Sequence, residues 1–109
     1  MYGDRNDSPP GYDTWFELLA DGFRRRVLFE LSDRSAAPST VTVPDDVVRE
    51  GEDAETVHLH LSHIHLPKLA AAGVIEWEPG SGTVTAAEAF EQLRPLLRAV
   101  RALEGFEGD

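Results

Sequence analysis

Between Glu55 and Thr85 the spacing of apolar positions changes from a helical period to an alternating one. Val57, Leu61 and Ile64 recur on one side of a helix and Leu59, Leu66 and Ala70 on another, which predicts a helix over Ala54–Ala72. Asp53 stands where the N-cap belongs, and Gly73 follows the last turn, where a left-handed C-cap costs least. The period then drops to two. Val74–Glu78 reads as a strand, Pro79–Gly82 as a turn and Thr83–Thr85 as the returning strand. A long helix, a glycine stop and a tight hairpin in that order describe a recognition helix followed by a wing.

Upstream, Leu18, Leu19, Phe23, Val27, Leu28 and Leu31 supply the apolar positions of a helix over Thr14–Ser32, with Thr14 and Glu17 spaced as a capping box. Gly22 interrupts the pattern, so one kinked helix and two short ones both fit. A polar loop, Ser32–Ser39, leads to a short β-branched strand around Val41 that can join the later hairpin. Pro44, Asp45 and Asp46 suit the first turn of a short helix over Pro44–Glu50, with Val47 and Val48 facing inward and Gly51 ending it.

Downstream, Thr85 and Glu88 form a second capping box opening a helix over Ala86–Leu103. Along it Ala89, Leu93, Leu96, Val100 and Leu103 alternate spacings of four and three, the seam of two packed helices. Pro95 removes one donor and should bend it. The seam suits packing on its own domain or a homodimer; the dimer is preferred, with Leu93, Leu96, Val100 and Leu103 as its contacts. The fold class is therefore α+β: a winged helix-turn-helix with a small antiparallel sheet and a C-terminal helix. Residues 1–12 are expected to be a disordered tail, 13–85 the winged helix-turn-helix domain, and 86–109 the C-terminal helix.

Composition narrows the setting. A chain of 109 residues builds one modest core. It holds no apolar run that could span a bilayer and no signal-peptide pattern, so a cytoplasmic protein without a membrane partner is expected. The absence of cysteine removes disulfides, thiolate-bound zinc and thiol chemistry. Twenty acidic residues face ten basic ones, for a formal net charge of -10, and Lys68 is the sole lysine. An acidic, lysine-poor surface suits concentrated salt, where charge repulsion is screened within roughly 3 Å at 1 M. An ordinary acidic protein is the other reading, but it leaves the missing lysines unexplained.

The candidate chemistry lies on the long helix. His58, His60, Ser62, His63 and Lys68 are the side chains placed toward the major groove of double-stranded DNA. His58 and His65 point one way, His60 and His63 another. Two histidines three residues apart offer two metal ligands, too few for a structural zinc, so no metal or other cofactor is expected. Arg24, Arg25 and Arg26 form either a phosphate-contacting patch or three side chains about 100° apart that pair with acids such as Asp21, Glu30 and Asp33. The second arrangement is expected. No nucleophile with a positioned base and no phosphate-binding glycine loop is present, which argues against an enzyme, and nothing indicates a small-molecule effector.

The run His63–Val84, HIHLPKLAAAGVIEWEPGSGTV, together with Leu19–Leu31 upstream, resembles a haloarchaeal family of winged helix-turn-helix domains of unknown function. The resemblance covers roughly Thr14–Thr85, and its most specific part is the His-Leu-Pro-Lys-Leu-Ala-x-Ala-Gly-Val run. Leu66, Leu69, Gly73, Val74 and Ile75 match the way a recognition helix enters its wing in ArsR-type regulators; Pro67 departs from that pattern. The resemblance implies the fold of a transcriptional regulator and carries no known ligand, operator or activity. Taken with the acidic, lysine-poor composition, the expected function is a DNA-binding transcriptional regulator of a halophilic archaeon. The alternative is a winged-helix protein–protein interaction module without DNA binding, which suits the acidity better.

Overall fold

The structure, a computed structural model, describes residues 11–108. Most of the tail expected over residues 1–12 lies outside that range, and Tyr12 already opens a helix. The elements run α1 (Tyr12–Leu19), α2 (Gly22–Asp33), β1 (Thr40–Thr42), α3 (Ala54–His60), a π-helical segment (Leu61–His65), α4 (Leu66–Ala71), β2 (Ile75–Glu78), β3 (Thr83–Ala86) and α5 (Phe90–Gly108). The fold is α+β and winged-helix-like. Its antiparallel sheet has the order β1-β3-β2, with Val41 opposite Val84 and Trp77 also opposite Val84. The hairpin expected around Pro79–Gly82 is present.

One core holds these elements together. Val27, Leu28 and Leu31 of α2, Leu61, Leu66 and Leu69 of the long helix, Val84 of β3, and Phe90, Leu93 and Leu97 of α5 are all buried. Each such side chain contributes about 1.5–3 kcal/mol by leaving water, and these residues come from every layer.

The N-terminal helix is two helices. Asp21 breaks it, because its carboxylate accepts from Phe23 N at 2.8 Å and Arg24 N at 3.3 Å and so starts α2. The capping box at Thr14 does not form. The helix begins two residues earlier with Gly11 at its N-cap, and the Glu17 carboxylate pairs with Lys68 at 2.9 Å instead.

The helix expected over Pro44–Glu50 is absent. In its place stands a single turn, with Val47 N and Val48 N both donating to Pro44 O at 2.9 Å. Of the two acids that would have opened the helix, Asp46 is otherwise engaged, and Glu52 beyond its expected end is engaged too. Asp46 accepts from Thr42 N at 2.7 Å, and the Glu52 carboxylate accepts from Arg49 N at 2.8 Å while holding Arg26. Local side-chain acceptors of this kind compete with helix propagation. Val47 still reaches the core; Val48 is half-buried.

The second capping box also fails. Thr85 and Ala86 belong to β3, paired with Thr40 and Ile75, and α5 starts four residues later than expected, at Phe90. The inward face of α5 is centred to one side of the expected seam. Phe90, Leu93 and Leu97 are buried in the chain's own core, Leu96 and Val100 are half-buried against it, and Leu103 is exposed. Arg101 ties α5 to α2 through Asp33 at 2.6 and 2.9 Å.

Candidate nucleic-acid interface

Residues 54–71 form one continuous helical rod whose middle is wound more loosely than its ends. Asp53 caps it, accepting from Thr56 N at 2.9 Å, and Gly73 follows it at φ +81°, where a side chain would be strained. Within the segment Leu61–His65, Leu66 N reaches back five residues to Leu61 O, so one extra residue is accommodated in the turn. Pro67 lies just beyond. It has no N–H to give, and in a regular α-turn its ring would press on the carbonyl four residues earlier, at His63.

The inserted residue resets the phase of the helix. With regular winding, the face begun by Val57 and Leu61 continues through Ile64 and Lys68. In the structure it continues through His65, Leu66 and Leu69, all buried, while Ile64 is 53 % exposed and Lys68 sits outside on Glu17. The grouping of Ile64 with Val57 and Leu61 is thus corrected. Leu59, also 53 % exposed, joins Ile64 on the outer face, and Thr56, His60 and His63 complete a shallow hollow of about 350 Å³ between them.

The five side chains proposed for DNA contact separate. His60 and His63 lie on the outer face, His60 with its ring stacked on Phe23 at 5.4 Å between centroids. His58 and Ser62 are half-buried and face each other, Nε2 to Oγ at 3.3 Å, and His58 Nδ1 is buried without a partner. Lys68 is exposed but engaged by Glu17, whose pKa is lowered chiefly by that hydrogen bond. Sequence spacing missed Leu59 and Ile64 as surface residues. For Ile64 the signal was Pro67, which marks where regular winding must fail; Leu59 already lay on the opposite side from Val57 and Leu61 by regular spacing. Among the described residues no group of three or more His, Asp or Glu side chains could hold a metal ion.

The arginine run divides as its helical spacing requires. Arg24 is buried; it donates to Leu18 O at 2.8 Å and Glu17 O at 2.9 Å, closing the end of α1. Arg25 donates to Leu19 O at 2.6 Å and pairs with Glu104 of α5. Arg26 grips both oxygens of Glu52, at 2.7 and 2.6 Å, and this bond holds the Glu52 carboxyl down to about 2. The partners are carbonyls and other acids than those named from sequence; Asp33 and Glu30 instead hold Arg101 and Arg34. Among the described residues, Arg24, Arg25, Arg26, Lys68 and Arg101 join elements to one another, and no ion pair reaches Glu76 or Glu78 on β2 of the wing.

A family model described as a domain of unknown function, DUF7344, matches residues 16–85, from α1 to the end of the hairpin. The chain belongs to that family. Comparison with curated proteins and with solved structures returned no match. Within the DUF7344 domain the matched residues include the rod, the π-helical segment and both strands of the wing. α5 lies beyond the match, although it supplies Phe90, Leu93 and Leu97 to the domain's core. None of the described helices is long and apolar enough to cross a membrane.

Proposed function

We propose that this DUF7344 domain is a DNA-binding transcriptional regulator of the haloarchaeal type, ArsR-like in architecture, acting in the cytoplasm as a homodimer. The observation that carries the reading is one of shape. The rod 54–71 keeps Leu59, His63 and Ile64 exposed on its outer face, and the β2–β3 hairpin follows it directly as a wing. A helix of that exposure beside a wing has the dimensions to enter a major groove. His60 and His63 then supply hydrogen bonds to base edges, and Leu59 and Ile64 supply apolar contact. With Arg24, Arg25, Arg26 and Lys68 engaged internally, affinity depends on base edges and shape more than on phosphate neutralisation, which suits high salt, where counterion release contributes little.

A second reading has its own observation. Two half-exposed aliphatic side chains on one helix face, beside an acidic wing, also suit a protein partner. Genome-wide occupancy of the tagged protein in a high-salt cell separates the two. Focused peaks that disappear in a His60→Ala, His63→Ala variant are expected for the regulator. Diffuse background would overturn it in favour of the interaction module.

A further inference from the structure

His65 closes the π-helical segment and is buried, though histidine is an ionisable side chain. Its Nδ1 lies 3.0 Å from Arg24 Nη1. A guanidinium can only donate, so Nδ1 accepts and the ring proton resides on Nε2, which faces Asp21 Oδ1 at 3.5 Å. Phe23 stacks on the ring at 5.7 Å between centroids. The same guanidinium holds Glu17 O and Leu18 O, so one cation ties α1, α2 and the rod together through this imidazole.

We propose that His65 is a proton-operated latch on the recognition helix. A proton added at Nδ1 turns the acceptor into a donor aimed at another donor, and sets two cations against each other in a buried site. The Arg24–His65 bond breaks. The π-helical segment loses its anchor on α2, and the outer face carrying His60, His63 and Ile64 loses its fixed position. The latch is independent of which macromolecule that face receives.

The surrounding charges set the direction. From α1 comes Glu17, its carboxylate held by Lys68; from α2 come Asp21 and Arg24; from the rod itself come His60 and Lys68. Burial lowers the His65 pKa most, Asp21 opposes that, and Arg24, His60 and Lys68 add to the lowering. The folded state therefore favours the neutral ring. Its contribution to stability is complete above the ordinary histidine value of 6.5 and is lost as pH falls through the lower folded value. Asp21 stays ionised in that window: burial works to raise its pKa, but the Arg24 and Phe23 amides lower it overall.

The test uses the full chain at constant salt. At neutral pH the imidazole nitrogen spectrum of the wild type should show His65 with Nδ1 unprotonated and Nε2 protonated. Between pH 7 and about pH 5, amide exchange across the π-helical segment, corrected for its intrinsic rate, should accelerate by up to about tenfold per pH unit. Amides of α2 and β3 should not follow. In His65→Gln, whose side-chain oxygen can still accept from Arg24 but does not titrate, the acceleration should vanish. The opposite tautomer in the wild type, a His65 pKa at or above 6.5, or the same acceleration in His65→Gln would overturn the latch.

Discussion

At the scale of single residues, Gly82 shows a position that only one side chain satisfies. Its φ is +76°, and a Cβ built there would lie 2.6 Å from Val43 O, the same residue whose N–H donates to Gly82 O at 2.9 Å. Gly51 shares the backbone conformation, at φ +86°, but has open space around it. The pair separates strain from collision. Gly51→Ala should cost only the conformational part, about 1–3 kcal/mol; Gly82→Ala should cost that and more, since carbonyl Val43 must move and the wing with it. Chemical denaturation of both variants checks this, and equal losses would remove the collision from the account. Gly82 was legible as a turn residue, whereas Gly51 was read as the stop of a helix that the structure replaces with a turn. The approach of Val43 was not legible, because it joins residues 39 positions apart. Arg24 teaches the same lesson: as one of three adjacent arginines it resembles its neighbours, and only the fold shows that it closes α1 and holds His65.

At the scale of elements, the rod 54–71 shows what periodicity reveals and where it stops. Its existence, its Asp53 cap and its Gly73 stop follow from local chemistry and were legible. Its inward face was legible only as far as Leu61, because a period of 3.6 carried past an inserted residue puts Ile64 on that face, where the structure has His65 and Leu69. The helix expected over Pro44–Glu50 failed for a related reason: Pro44, Asp45 and Asp46 suit a helix start, yet Asp46 accepts from Thr42 N, and further on Glu52 accepts from Arg49 N. Two causes can sustain the π-helical segment, the proline and the packing phase. Pro67→Ala removes the first alone. The segment should persist in that variant, since regular winding would draw Lys68 inward and expel Leu69, at a cost of several kcal/mol for a buried ammonium. Deleting Ile64 as well should give an uninterrupted α-helix with Val57, Leu61 and Leu69 still inward. Backbone chemical shifts across residues 61–66 read both outcomes. A regular helix in Pro67→Ala alone would show that the proline, not the core, sets the winding.

At the scale of the whole molecule, the ten excess negative charges repel one another, while the cations are dispersed in pairs such as Arg26–Glu52, Lys68–Glu17 and Arg101–Asp33. Exposed pairs add little each, and a core of this size leaves a narrow margin, so screening should matter. The thermal midpoint is expected to rise from millimolar to molar salt; a flat midpoint would remove the adaptation to concentrated salt proposed here. The dimer requires a more exact test, because α5 already serves its own domain. Leu93 and Leu97 are buried inside the chain, which leaves Leu103, 65 % exposed, with the half-buried edges of Leu96 and Val100 as the part of the seam a second copy could cover. Charge placed at the two kinds of position should act differently. Leu97→Glu buries an acid in the only core and should unfold the chain, seen as loss of helical signal. Leu103→Glu should leave that signal intact and convert dimers to monomers by solution mass. A wild type that is monomeric at every concentration tested would end the dimer. Two rods related by a dyad read two half-sites, whereas one reads a few base pairs, so specificity for a palindrome should fall with the dimer in Leu103→Glu.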